Sequence, residues 1–209
     1  MHRGLVLCLV ALLMVSAGVA SAETYLGLRF GGNGNFEYAD GGPMCDSGWF
    51  THREFVVGFG DEFQGEASLG WSSWNESYDP SEGGSRADVE TSWSVMHFGV
   101  AGFYPMMEGS SYRVDVGGRF QYHSGTITSD NYIYVREDEH EQKLSGWTVG
   151  PLLRGSWWLG DLPLTFGPEV FVKYTSLTYT DVRGEYYDEE YDVSAFDIDY
   201  SFRLDFHFD

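Results

Sequence analysis

The last fifteen residues, AFDIDYSFRLDFHFD, constrain the chain most. Phe196, Ile198, Tyr200, Phe202, Leu204, Phe206 and Phe208 share one parity, and Asp197, Asp199, Ser201, Arg203, Asp205 and His207 share the other. Successive side chains leave a strand on opposite faces, so this alternation specifies a strand with one apolar and one charged face and excludes a single helical stripe. In a water-soluble sheet the apolar face packs inward. In a transmembrane barrel the arrangement is inverted, with the apolar face toward lipid and the charged face inside.

The connections elsewhere in the chain discriminate between the two. Alternation between turn signals recurs in eight segments, over residues 24–32, 52–60, 65–74, 93–104, 111–123, 146–158, 163–175 and 193–208. Short turns at Asp61-Glu62-Phe63, at Pro105-Met106-Met107-Glu108-Gly109 and at Gly160-Asp161 alternate with long polar connections over 33–51, 75–92, 124–145 and 176–192. This rhythm predicts an all-β fold: an eight-stranded antiparallel up-and-down transmembrane β-barrel with short periplasmic turns, long extracellular loops and both termini periplasmic. A soluble periplasmic or secreted ligand-binding β-barrel also has eight strands, but that architecture does not require its connections to segregate by length.

Parity within the segments assigns the faces. Leu26, Leu28, Phe30, Val114, Val116, Phe166, Val170, Val172, Phe202, Leu204 and Phe206 are expected to face lipid. Arg29, Glu66, Arg113, Asp115, Arg119, Arg154, Glu169, Lys173, Asp197, Asp199, Arg203 and Asp205 are expected to form a polar network in the lumen. An eight-stranded barrel is only wide enough for its own side chains. A charge removed from water without a partner is costly, so these groups must pair or stay wet. A packed network is therefore expected in preference to an open ion pathway. Trp71, Trp74, Trp93, Trp147 and Tyr174 fall toward the long loops, and Tyr104, Trp157 and Phe208 toward the short turns, as aromatic girdles at two interfaces would require. Pro151 and Pro168 remove ladder donors inside two strands; counting from the turn at Gly160 sets them almost opposite each other, and a bulge or break is expected there.

The N-terminus sets the compartment. MHRGLVLCLVALLMVSAGVASA has a basic start, an apolar run and a small-residue cleavage site, the pattern of a secretory signal peptide over residues 1–22, which leaves 23–209 as one barrel domain. No later segment is apolar enough to span a bilayer as a helix. A formal charge of −20 excludes nucleic acid as a partner, because a phosphate backbone requires a basic surface. With Cys8 in the signal peptide, Cys45 is the one cysteine of the mature chain, so no internal disulfide supports the exported fold.

With its signal peptide, eight-segment rhythm, glycine-studded strands such as VDVGGRFQYH and FGVAGFYP, and aromatic terminal strand YSFRLDFHF, the chain resembles the small eight-stranded outer-membrane barrels of the OmpA/OmpX type found in Gram-negative bacteria. The resemblance covers residues 23–209 and implies outer-membrane lipid and the barrel-insertion machinery as partners. That machinery usually reads a terminal aromatic, whereas here Asp209 follows Phe208. No peptidoglycan-binding domain follows the barrel, so no tether to the wall is expected.

Candidates for chemistry are few. His123-Ser124 invites comparison with outer-membrane barrels that hydrolyse acyl chains of lipid A, but neighbours in a strand point to opposite faces, which suits a catalytic pair poorly. EDEHEQ, at Glu137 to Gln142, offers hard oxygen ligands yet reads as a solvated charge run, and no metal or cofactor is expected. RGEYYDEEYD, at Arg183 to Asp192, sets tyrosines among acids and reads as an acidic brush. Asn75 begins an Asn-Glu-Ser glycosylation pattern, and GGNGNF after Phe30 lacks the strand-to-helix setting of a phosphate loop. The expectation is a non-enzymatic integral barrel that contributes to the envelope and displays acidic, Tyr-containing loops open to adhesion or another surface interaction. A lipid-modifying outer-membrane hydrolase and a soluble ligand-binding barrel are the alternatives. The sequence names no partner for the loops.

Overall fold

A computed structural model describes residues 23–31, 52–60, 62–78, 89–133, 136–182 and 188–208. Residues 1–22, Cys45 and Asp209 lie outside them. Eight strands run in chain order: β1 Thr24–Gly31, β2 His52–Phe59, β3 Gln64–Tyr78, β4 Val89–Glu108, β5 Tyr112–Ile133, β6 Arg136–Trp158, β7 Leu164–Val182 and β8 Asp188–Phe208. Each pairs antiparallel with the next, and β8 pairs with β1 from Thr24↔Phe208 to Gly31↔Ser201, which closes the barrel. The fold is therefore an all-β, eight-stranded antiparallel up-and-down barrel.

The side chains are inverted relative to a soluble core. Leu26 on β1 is 51% exposed while Arg29 on the same strand is 2% exposed. Phe55, Val57, Leu69, Phe98, Val100, Val116, Phe120, Val149, Leu153, Phe166, Val172, Phe202, Leu204 and Phe206 all project outward as well. Leu28, Phe30, Val114 and Val170 share these outward parities and are half-buried.

Aromatic side chains bound this outward apolar band. At the long-connection end Trp147, Tyr174 and Phe196 stack in a row across β6, β7 and β8, with ring centroids 5.6 and 4.9 Å apart, and Trp71 and Tyr122 continue it. At the other end stand Phe63, Tyr104, Tyr112, Trp157 and Phe208. Trp147 and Trp157 lie ten residues apart on β6, which at about 3.3 Å per residue and a tilt of about 40° sets the belts about 25 Å apart. Trp93 departs from the expected girdle: it sits on the inward parity of β4 and is 6% exposed among Val95, Ile127, Leu144, Leu177 and Tyr179. The side chain of Trp74 lies outside the described residues.

Beyond the Trp147 belt the polarity reverses. The inward residues become this apolar cluster, and Ser94, Thr126, Lys143, Ser145 and Thr178 face out. The reversal explains why the strands outrun their expected lengths. β5 and β6 pair continuously up to Ile133↔Arg136, and β7 and β8 up to Val182↔Asp188, so most of 124–145 and 176–192 is hairpin rather than loop. The backbone ladder continues where the apolar parity does not, and a search for one alternating pattern stops at the switch.

The turns depart less. At the first, Gly60 has φ of 113°, and a Cβ there would lie 2.0 Å from the Phe63 carbonyl oxygen, so only glycine fits. At the second, β4 runs on to Glu108 with a register shift between Pro105 and Met107, leaving a tighter turn at Gly109 than the five residues expected. The prolines are not opposite each other. Pro151 pairs with Gly118 on β5 and Pro168 with Phe202 on β8. On the seam between β6 and β7 the ladder skips Gly150-Pro151 and then Gly155-Ser156, while the register of Val149↔Tyr174, Leu152↔Phe171 and Trp157↔Phe166 stays constant. Each proline thus makes its own break in one seam, without a bulge.

Candidate functional site

The lumen holds the concentrated chemistry of the described residues, in layers stacked along the barrel axis. At the short-turn end Glu23 accepts a hydrogen bond from His207 Nδ1 at 2.9 Å, and His207 Nε2 lies 3.0 Å from the Thr165 hydroxyl. That hydrogen bond holds the Glu23 carboxyl below its usual range, against the opposing effect of partial burial. A cavity of about 30 Å³ lies between this group and Arg113, Asp115 and Arg154.

Above it is an ion-pair core assembled by the inward parities of seven strands, all but β4. Arg29 binds Glu169 at 2.5 Å, Glu66 at 3.2 Å and Glu54. Arg203 binds Glu66, Glu169 and Asp205 at 2.5, 2.9 and 2.8 Å. Arg154 bridges Glu66 at 2.5 Å and Asp115 at 2.7 Å, while Arg119 reaches Glu169 at 2.8 Å and Arg113 reaches Asp115 at 2.6 Å. Five arginines thus meet five carboxylates, so the ion-pair core is balanced although the chain carries −20. Removing either sign would leave a buried charge uncompensated. Arg154 also lies over the Phe103 ring at 4.0 Å, and Phe103, Leu152 and Phe171 fill the gaps between guanidinium groups. Space for the layer comes from inward glycines: a Cβ on Gly58 would lie 1.9 Å from the Tyr25 ring, and one on Gly70 2.4 Å from Glu54 Cγ.

The third layer is a chain of hydrogen bonds between histidines and hydroxyls. His52 Nδ1 lies 3.0 Å from Ser72 Oγ, Ser72 Oγ 2.9 Å from His97 Nε2, His97 Nδ1 2.6 Å from His123 Nδ1, and His123 Nε2 2.7 Å from Thr148 Oγ1, which meets Thr175 Oγ1 at 3.0 Å. His52 Nε2 ties the chain down to Glu54 at 3.0 Å. Beside this layer Lys173 binds Asp199 at 2.7 Å, with Asp197 at 3.9 Å. The apolar cluster around Trp93 and Val95 closes the barrel above it.

All twelve residues assigned to the lumen by parity face inward, and all but Lys173, Asp197 and Asp199 belong to the ion-pair core. Parity also sets His123 on the inner face of YRVDVGGRFQYH, but it missed Tyr25, Glu54, Gln64 and the rest of the third layer. Glu54 was readable, since it shares parity with His52 across HREF, but Val56 and Gly58 follow on the same face and dilute the polar signal. His97 is likewise hidden between Val95 and Gly99.

Ser72, His52 and Glu54 are connected as in a Ser–His–acid triad, yet Ser72 is 2% exposed beneath the apolar cap and out of contact with any lipid surface. His123 is buried in the chain just described while Ser124 faces outward, so those neighbours do not act together. Among the described residues no group of three His, Cys, Asp or Glu side chains has metal-binding geometry. EDEHEQ lies on β6 rather than in a loop, and the second half of RGEYYDEEYD lies on β8; Arg183 to Tyr187 and the side chains of Glu137 to His140 lie outside the described residues.

Fold and lumen together define a closed eight-stranded barrel with an apolar exterior and a filled polar interior. It is similar to the crystal structure of a major outer membrane protein from Thermus thermophilus, with a TM-score of 0.60 over 90% of this chain and 100% of that one. The identity is 10%, so the likeness is one of fold. No family model and no curated protein matches the chain.

Proposed function

We propose that the chain is a non-enzymatic integral barrel of the bacterial outer membrane, similar in plan to the OmpA/OmpX type, which contributes to the envelope and presents acidic, Tyr-containing hairpins at the cell surface. The observation that carries this reading is the apolar exterior, about 25 Å tall between two aromatic belts, wrapped around a charge-balanced ion-pair core. An aqueous exterior would leave Phe55 on β2, Phe98 on β4, Phe120 on β5 and Phe202 on β8 in water together with the outward apolar residues of the strands between them, a patch far larger than soluble monomers carry. In this reading the short turns and both barrel ends, Glu23 and Phe208, face the periplasm. The β3–β4, β5–β6 and β7–β8 hairpins rise outside, where adhesion or another surface contact is their role. Folding there relies on the barrel-insertion machinery, with Phe208 supplying the terminal aromatic.

Fractionation tests the reading. The expressed chain should sediment with outer-membrane vesicles, resist extraction by carbonate and need detergent to dissolve. Release into the soluble periplasm without detergent would contradict it and turn attention to a ligand in the core.

A further inference from the structure

The hydrogen-bonded layer contains one link unlike the rest. A hydroxyl can donate or accept and can rotate between the two, so Ser72, Thr148 and Thr175 adapt to whatever their neighbours present. The contact between His97 Nδ1 and His123 Nδ1, at 2.6 Å, cannot adapt. One Nδ1 must carry a proton and the other must offer its lone pair, so the link exists only while at least one of the two rings is neutral. Protonating both rings sets N–H against N–H and places two cations edge to face, with ring centroids 4.9 Å apart, in a site from which water is largely excluded.

The charges facing this pair do not offset that change. On β2 stand His52 and Glu54, and Glu54 is already engaged by Arg29, His52 and Gln121. Lys173, on β7, is cationic, and Asp197 and Asp199 on β8 pair with it. β3 and β6 contribute the neutral Ser72 and Thr148. Directly above, Val95 and Trp93 lie two and four residues along β4 from His97 and pack in the apolar cap with Ile127 of β5.

We infer that the His97–His123 pair is an acid-sensitive latch on the outer end of the lumen. While one ring stays neutral, the N–H···N link braces β4 against β5 beneath the cap. When acidification makes both rings cationic, the rings part, the cap around Trp93 loosens and water enters the third layer, while the ion-pair core below stays intact. This inference goes beyond a role in the envelope and depends only on the folded barrel.

The experiment uses the full folded chain in detergent micelles, labelled with ¹⁵N-histidine and fluorotryptophan, the Trp93 signal being assigned with Trp93→Phe. On lowering the pH, the N–H···N coupling between His97 and His123 should vanish and the Trp93 fluorine signal should shift in the same transition. His97→Gln and His123→Gln supply hydrogen bonds without titrating there and should abolish the Trp93 transition; His52→Gln should retain it. A Trp93 transition that persists in both pair variants, or that disappears in His52→Gln, overturns the latch. If the pair variants do not fold, the wild-type signals decide alone: coincident transitions support the latch, and separate ones, or none above the pH at which the barrel unfolds, overturn it.

Discussion

Glu169 receives Arg29, Arg119 and Arg203, so its carboxylate is the junction of the ion-pair core. Replacing it by alanine strands three guanidinium groups away from water, and urea unfolding of the variant should show a loss of about 3–5 kcal/mol. An outward change such as Lys143→Ala should stay within about 0.5 kcal/mol. Glu23 gives a pH-dependent contrast. Its carboxyl is held below its usual range mainly by the hydrogen bond from His207, so the ionised form is favoured in the folded chain. Its contribution is then present above the ordinary carboxylate pKa and lost as the pH falls through the depressed one. Glu23→Gln should be less stable than the parent at neutral pH and indistinguishable from it in acid, as melting curves across that range would show. At this scale the sequence revealed the arginines and their acids because charge on an inward parity is conspicuous. It concealed His97 and Glu54 because their inward neighbours are Val95, Gly99, Val56 and Gly58, a mixed face on which one polar residue carries no pattern.

Strands are specified here by two different rules along their length. Between the aromatic belts the outward parity is apolar; above Trp147 the inward parity is, so the apolar and polar faces exchange without a turn in between. The same substitution should therefore have opposite consequences at two heights. Phe202→Arg, midway between the belts, should cost about 2–4 kcal/mol in refolding into lipid vesicles, whereas Thr126→Arg, outward but above the belt, should be nearly neutral. Equal costs at both sites would remove the distinction. The exchange is also what shortened the strands as read from sequence: Ile127 and Leu144 continue an alternation, but with the sense reversed. The proline breaks had the opposite outcome. Their existence followed from the missing donors, but their spacing did not, because a turn-based count does not contain the β6–β7 register that separates Pro151 from Pro168.

At the scale of the molecule, the charge-balanced ion-pair core, the histidine–hydroxyl layer and the apolar cap are stacked along the lumen. Vesicles carrying the protein should be as tight to small ions at neutral pH as vesicles without it, and steady conductance there would mean that the layers do not close. The eight-strand order and the inverted faces were legible because each is periodic in the sequence, whereas the long connections expected at 124–145 and 176–192 are mostly paired strand. The layering was not, since it depends on which inward residues the register brings to one height. The central claim, an outer-membrane barrel with its hairpins outside, is tested most directly by digesting intact expressing cells with an external protease and mapping every cut by mass spectrometry beside broken cells. Cuts confined to the connections from β1 to β2, β3 to β4, β5 to β6 and β7 to β8, with the turns at Gly60, Gly109 and Gly160 cleaved only after breakage, are the expected result. Cleavage at those turns in intact cells, or complete protection of all four connections, would contradict it.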